Sequence, residues 1–183
     1  MIRDGRIEGK PQLIVRPVPV DDGKRYASVR EKFPELIFSP PKWLHAKNSH
    51  WSGFTPMPED IRLLANLTQH VTMNVNLGST MTLDFGIHDK PVVNVAFDVA
   101  DPPVFGMPVY DFYYGYEHLQ PVIRFQASRI ARSAIEFATH VNRYLDDPSL
   151  DGEGRRKLVG LQAKAPLSKS TERLVGALRE IAI

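Results

Sequence analysis

The 183-residue sequence contains no cysteine, which excludes disulfides and thiolate-bound metal and accords with a reducing compartment. It has almost no charge imbalance. Its 23 basic and 21 acidic side chains leave a net charge of +2, too little to draw the chain onto nucleic acid by electrostatics. No apolar run approaches the roughly 20 residues of a membrane-spanning helix. The N-terminal Met1-Ile2-Arg3-Asp4-Gly5-Arg6 is charged and lacks the apolar core of a secretion signal. Together these absences predict a soluble chain of the cytoplasm. No Gly-x-Ser-x-Gly turn, Walker loop or His-Glu-x-x-His motif occurs. His45 and His50 stand five apart with no acid at ligand spacing, so no zinc site is expected. Internal repeats and low-complexity tracts are missing too.

What is present is an ordinary globular composition, 43% hydrophobic and 24% charged. A chain of this length buries roughly 70% of its unfolded surface as one domain. Fifteen prolines against twelve glycines point to rigid connections. Residues 1–11 read as a polar linker or remnant. Residues 12–15 form a strand, ended by Arg16-Pro17-Val18-Pro19 because proline cannot donate to a sheet ladder. Residues 23–33 have helical spacing up to Pro34, Leu36-Ile37-Phe38 is a second apolar run, and residues 42–57 read as irregular. Pro58-Glu59-Asp60 opens a helix, with proline and acids in its first turn. A strand at 71–75, a tight turn through Gly78-Ser79-Thr80 with Ser79 or Thr80 as N-cap, a short helix at 80–87 and a strand at 92–97 follow. That order is the rhythm of parallel strand–helix–strand construction. Residues 98–120 read as a long aromatic-rich loop and 121–125 as a strand. Ser133 and Glu136 form a capping box before a helix at 134–145. Helical patterns at 151–162 and 170–182 complete the chain. The predicted architecture is α/β, a single doubly wound, mostly parallel sheet of five or six strands.

The candidate chemistry gathers at strand ends. A Gly78-Ser79-Thr80 turn after a parallel strand offers backbone N–H groups, a helix dipole and two hydroxyls to phosphate oxygens. Asp84, four residues beyond Thr80, faces the same crevice and suits ribose or sugar hydroxyls. The alternative is a capped helix with Asp84 in its first turns. Arg16, at the end of the first strand, either meets a diphosphate or nucleobase or pairs with Asp21 or Asp22. Asp98 either touches a donor sugar or caps its loop. Phe105, Tyr110, Phe112, Tyr113, Tyr114 and Tyr116 are six of the seventeen aromatics in one stretch. They suit base stacking, a sugar platform or a partner, or simply cover the sheet edge. The nearby acids argue against single-stranded nucleic acid. His118 follows them as a further candidate.

The segment from Asp60 to Asp98 resembles the C-terminal nucleotide-sugar-binding domain of GT-B glycosyltransferases. The resemblance rests on Leu64-Ala65-Asn66-Leu67, Val71-Thr72-Met73-Asn74-Val75-Asn76, Gly78-Ser79-Thr80-Met81, Asp84, Asp89-Lys90-Pro91 and Val92-Val93-Asn94-Val95-Ala96-Phe97-Asp98. Residues 13–22 are similar to the upstream strand and loop of members related to surface-carbohydrate and CDP-glycerol glycerophosphotransferase-like enzymes. Those members often read Arg-Pro-His-Pro where this chain has Val18 for the histidine. The likeness covers about residues 12–162. It implies a Rossmann-like domain over 12–165 that binds a UDP- or CDP-linked donor through Arg16, Gly78, Ser79, Thr80, Asp84, Asp98 and His118. It further implies a role in cell-surface polysaccharide synthesis, no required metal or cofactor, and a catalytic base and acceptor site in an N-terminal domain outside these residues. The helix over 166–183, with Leu174, Val175, Leu178 and Ile181 on one face, would dock that missing domain. A UDP-sugar epimerase-like half-enzyme and a non-catalytic interaction module are the alternatives.

Overall fold

The computed structural model describes residues 1–45, 53–101, 106–164 and 166–181. His50, Trp51 and Phe105 lie outside the described residues. The chain falls into two compact units, Met1–Leu67 and Thr68–Ile183.

In the first unit, β1 (Ile14–Val15) and β2 (Ile37–Phe38) pair in parallel, Ile14 opposite Ile37 and Val15 opposite Phe38. The crossover between them holds a 3-10 turn at Lys24–Tyr26 and α1 (Ala27–Lys32). The stretch read as irregular contains an antiparallel pair instead, β3 (Trp43–His45) with β4 (Phe54–Pro56). Three-residue strands show too little alternation to stand out in a sequence. α2 (Pro58–His70) then carries the chain onward into the second unit. Asp60, 2% exposed, is the hub of the first unit. It accepts hydrogen bonds from Arg16 Nη2 at 2.7 Å, the Lys42 N–H at 3.0 Å and Trp43 Nε1 at 2.9 Å. Burial opposes its charge, but these donors together hold the carboxyl below its usual range.

The second unit contains β5 (Asn74–Asn76), α3 (Met81–Ile87), β6 (Val92–Val95), α4 (Val109–Tyr114), α5 (Gln120–Arg124) and β7 (Arg129–Ala131). They are followed by α6 (Ala134–Asp146), α7 (Gly152–Gln162) and α8 (Ser170–Ile181). Its sheet is wholly parallel in the order β5-β6-β7. Val92, Val93 and Asn94 of the central strand are buried, as expected of a parallel strand covered on both faces. The class is therefore α/β, with the expected parallel strand–helix–strand unit between residues 74 and 95. The described strands form sheets of two, two and three, short of the single doubly wound sheet expected.

Two elements correct the sequence reading. Residues 121–124 belong to a helix, α5, with Phe125 as its C-cap, because Pro121 lies in its first turn, where a missing N–H costs nothing. The strand follows at Arg129–Ala131. Residues 98–120 also contain α4 and a 3-10 turn at Glu117–Leu119. Their Tyr114 and Leu119 join Ala96, Val122, Ala127 and Leu158 in the core. Elsewhere the local signals hold. Ser133 Oγ accepts from the Glu136 N–H at 3.1 Å, and Glu136 Oε2 accepts from the Arg132 N–H at 2.7 Å. No helix among the described residues is long and apolar enough to cross a membrane.

α7 is locked in place at its first turn. A Cβ on Gly154 would overlap the carbonyl oxygens of Phe125 and Gln126, so glycine alone permits this approach. Arg155, next in the chain, is 1% exposed. Its Nε donates to Asp89 Oδ1 at 2.8 Å, its Nη1 to the Leu150 carbonyl at 2.5 Å and its Nη2 to the Pro148 carbonyl at 3.1 Å. It thereby joins the α3–β6 turn to the α6–α7 connection. Arg155→Met is expected to cost about 3 kcal/mol, as breaking buried ion pairs does. Asp89→Asn, on a half-exposed carboxylate, should cost about 1 kcal/mol. Urea unfolding followed by circular dichroism compares the two. Equal losses would refute a role for Arg155 as the joint between these segments.

Candidate functional site

Because β5, β6 and β7 are parallel, their carboxyl ends share one edge, where open α/β sheets bind ligands. Three turns leave that edge: 77–80 after β5, 96–98 after β6 and 132–133 after β7. The first carries the expected phosphate cradle. Gly78 has φ +56°, and a Cβ there would lie 2.8 Å from Tyr113 Cβ and 3.3 Å from Leu119 Cδ1. Both its backbone angle and its surroundings demand glycine. The group that approaches it closely is a tyrosine of this chain.

Two N–H groups at the turn are committed. The Ser79 N–H donates to Asn76 Oδ1 at 3.1 Å. The Met81 N–H donates to Ser79 Oγ at 3.2 Å. Thr80 is the N-cap residue of α3 but makes no side-chain cap; Ser79 supplies that bond from one residue earlier. What the turn offers outward is the O–H of Ser79 and the exposed Thr80.

A polar ladder missed in the sequence sets this turn. Ser128 Oγ donates to Asn94 Oδ1. Asn94 Nδ2 donates to Asn76 Oδ1 at 2.5 Å and to Thr82 Oγ1 at 3.2 Å. Asn76 Nδ2 donates to Asn74 Oδ1 at 2.7 Å. Asn74 and Asn94 in the two predicted strands, with Asn76 just past the first, were the available signal, since asparagine is depleted in strands and must find partners when buried.

The other predicted residues separate into two groups. Asp84, half-buried on α3, follows Thr80 by one turn, its N–H 3.4 Å from the Thr80 carbonyl. Burial pushes its carboxyl above the usual range, and the nearby His88 opposes that only in part. Asp98 Oδ2 accepts the Val109 N–H at 3.2 Å, so it caps the start of α4. His118 is exposed and stacks on Tyr116, ring centroids 5.7 Å apart. Arg16 lies in the first unit and is committed to Asp60, not to Asp21 or Asp22; those two pair with Arg25 and Lys24. Gly78, Ser79, Thr80 and Asp98 are thus placed at the carboxyl ends of β5 and β6, Asp84 lies one turn into α3, and Arg16 pairs with Asp60 in the first unit.

The aromatic stretch lies across this edge as α4. Tyr114 is buried and donates to the Val95 carbonyl at 2.7 Å, and burial raises its phenol. Tyr110 stacks on Tyr114, centroids 5.3 Å apart. Arg132, absent from the sequence-derived set, lies 3.8 Å over the Tyr110 ring.

A 260 Å³ pocket at the opposite, amino edge is lined by Gln126, Ser128, Arg129, Ile130, His140 and Asp151. Its charges satisfy one another: Asp151 accepts from Arg129 Nε at 2.5 Å, Arg129 Nη2 at 2.9 Å and the Tyr144 hydroxyl at 2.7 Å. His140 Nδ1 is buried there without a hydrogen-bond partner among the described residues, and burial followed by Arg129 pushes that imidazole down. Among the described residues no three acids or histidines gather to hold a metal.

Asp84 yields a signed prediction. Its folded-state pKa is raised, so ionisation costs stability once the pH exceeds the ordinary value near 3.8. Asp84→Asn should therefore raise the melting temperature at pH 7 by a few degrees, and the gain should vanish below pH 3.8. Thermal melts across that range test it; a destabilised variant at pH 7 would contradict the assignment.

No protein-family model matches this chain, and neither the curated proteins nor the solved structures contain a significant match.

Proposed function

We propose that the second unit binds a nucleotide diphosphate sugar, UDP- or CDP-linked, as the donor-binding part of a GT-B-type glycosyltransferase. The observation that carries this reading is the β5–turn–α3–β6 unit. A parallel strand ends in a Gly78-Ser79-Thr80 turn, and a half-buried carboxylate, Asp84, stands one helical turn beyond it. The accompanying fold reading is a single doubly wound, Rossmann-like sheet, and the accompanying location is the cytoplasm.

The chemistry follows from the reading. An acceptor hydroxyl attacks the activated carbon of the donor, the bond from that carbon to the diphosphate oxygen breaks, and the diphosphate leaves with the bonding electrons. The Ser79 and Thr80 hydroxyls stabilise the departing oxygens. Asp84 orients a ribose or sugar hydroxyl. The proton acceptor and the acceptor site come from a partner domain, so the chain alone binds without turnover.

A second reading, a non-catalytic interaction module, is favoured by α8. Leu174, Val175, Leu178 and Ile181 are 61%, 41%, 57% and 82% exposed, and α8 has no buried residue among those described. Calorimetric titration of the chain with UDP-, CDP- and GDP-linked donors separates the readings. Donor binding predicts saturable heat with a UDP- or CDP-linked donor, and about tenfold weaker binding in Ser79→Ala, as loss of one phosphate hydrogen bond implies. Because Ser79 also accepts from Met81, thermal melts accompany the titration. Silence with all three donor classes would remove the donor reading and leave the interaction module.

A further inference from the structure

We propose that Arg132 takes the charge of the donor's diphosphate at the carboxyl edge; this rests on the donor-binding reading. The Gly78 turn brings no positive charge to the carboxyl edge. It presents uncharged hydroxyls, and its Ser79 and Met81 N–H groups are bonded within the protein. Asp98 brings a carboxylate to the same edge, Asp84 follows one helical turn beyond Thr80, and a diphosphate brings more negative charge. A cation is required for all of these to share one crevice.

Arg132 meets that requirement by position. It directly follows Ala131, the last residue of β7, so it emerges at the edge from which the Gly78 turn emerges. α4 bridges the two places: Tyr113 packs against Gly78, Tyr110 stacks on the adjacent Tyr114, and the Arg132 guanidinium lies over Tyr110. Asp98 holds the start of the same helix.

Arg132 also meets it chemically. Among the described residues no carboxylate lies within ion-pair distance of its guanidinium. By contrast Arg16, Arg129 and Arg155 each pair with an aspartate. The Glu136 carboxylate accepts from the Arg132 backbone N–H and forms no ion pair with the Arg132 guanidinium. Stacking on a ring fixes the guanidinium plane and leaves its N–H edge for bidentate contact with phosphate oxygens.

The test uses the full chain and four ligands: a UDP- or CDP-linked donor that binds, UDP, CDP and uridine. Arg132→Met should weaken the donor and the matching diphosphate about tenfold or more, the range for a charge-assisted contact. It should leave uridine unchanged and flatten the salt dependence of binding. Arg132→Lys keeps the charge without the planar fork, and its loss should be smaller. Melting curves of both variants should match the unsubstituted chain, since Arg132 is exposed. If the unsubstituted chain binds a donor and Arg132→Met binds it equally well, the inference falls and the donor reading stands. An equal loss for uridine and diphosphate also overturns it, because Arg132 would then serve the base or the fold. If no donor or diphosphate binds the unsubstituted chain, the donor reading falls and takes this inference with it.

Discussion

The second unit is organised around one buried amide. Asn94 lies in the central strand, 1% exposed, where every unpaired polar group costs about 1–3 kcal/mol. Its Nδ2 is bonded to both Asn76 and Thr82, and its Oδ1 to Ser128. Each partner comes from a different neighbouring segment: the end of β5, the first turn of α3 and the entry to β7. A one-residue slip of β5 would carry Asn76 to the other face of the sheet and leave the amides unmatched. A wholly apolar strand centre would favour burial but would specify register less sharply. Asn76 then passes the constraint outward, because the oxygen that accepts from Asn94 also accepts the Ser79 N–H. The shape of the candidate turn is therefore set from inside the sheet.

The same turn is constrained from outside by α4. The absence of a Cβ on Gly78 makes room for Tyr113 and Leu119, and the Tyr114 hydroxyl donates to the Val95 carbonyl. The phenol thus ties α4 to the end of β6, and its apolar body is packed in the core. A glycine in such a turn is commonly read as room for a phosphate. Here the room is occupied by a side chain, and the groups left facing outward at the turn are the Ser79 and Thr80 hydroxyls.

Local signals were legible in the sequence, and long-range ones were not. The Ser133–Glu136 box, the Pro58 helix start and the glycine at 78 each operate within four residues, and the structure has them in place. The strand at Arg129–Ala131 is three residues long and was displaced in the reading by the more apolar 121–125, where Pro121 should have weighed against a strand. Glu59 and Asp60 read as dipole-favoured acids at a helix start. Asp60 is indeed in that first turn, but its larger role depends on Arg16, forty-four positions earlier, and no spacing rule reveals it. Arg16 and Arg132 illustrate the same limit. Both follow a strand directly, and only tertiary packing distinguishes the arginine bound to a buried acid from the one resting on a ring.

The acids of the fold can be sorted by the direction in which their protons are held. Asp60 is buried and Asp151 partly so, which alone would favour protonation. In each, an arginine and further donors outweigh burial and the carboxyl is held low. Ionising these groups supports folding, which marks them as structural. Asp84, half-buried without such partners, is held high. A carboxylate kept half-buried at the expense of stability is uncommon on purely structural grounds, because an asparagine of nearly the same shape would avoid the cost. Its position one turn beyond Thr80 supplies a reason: a neutral hydroxyl arriving from a ligand would give that carboxylate the donor the protein withholds. Asp84 and Arg132 are then two charged groups that form no ion pair among the described residues, and each supports the donor reading on its own.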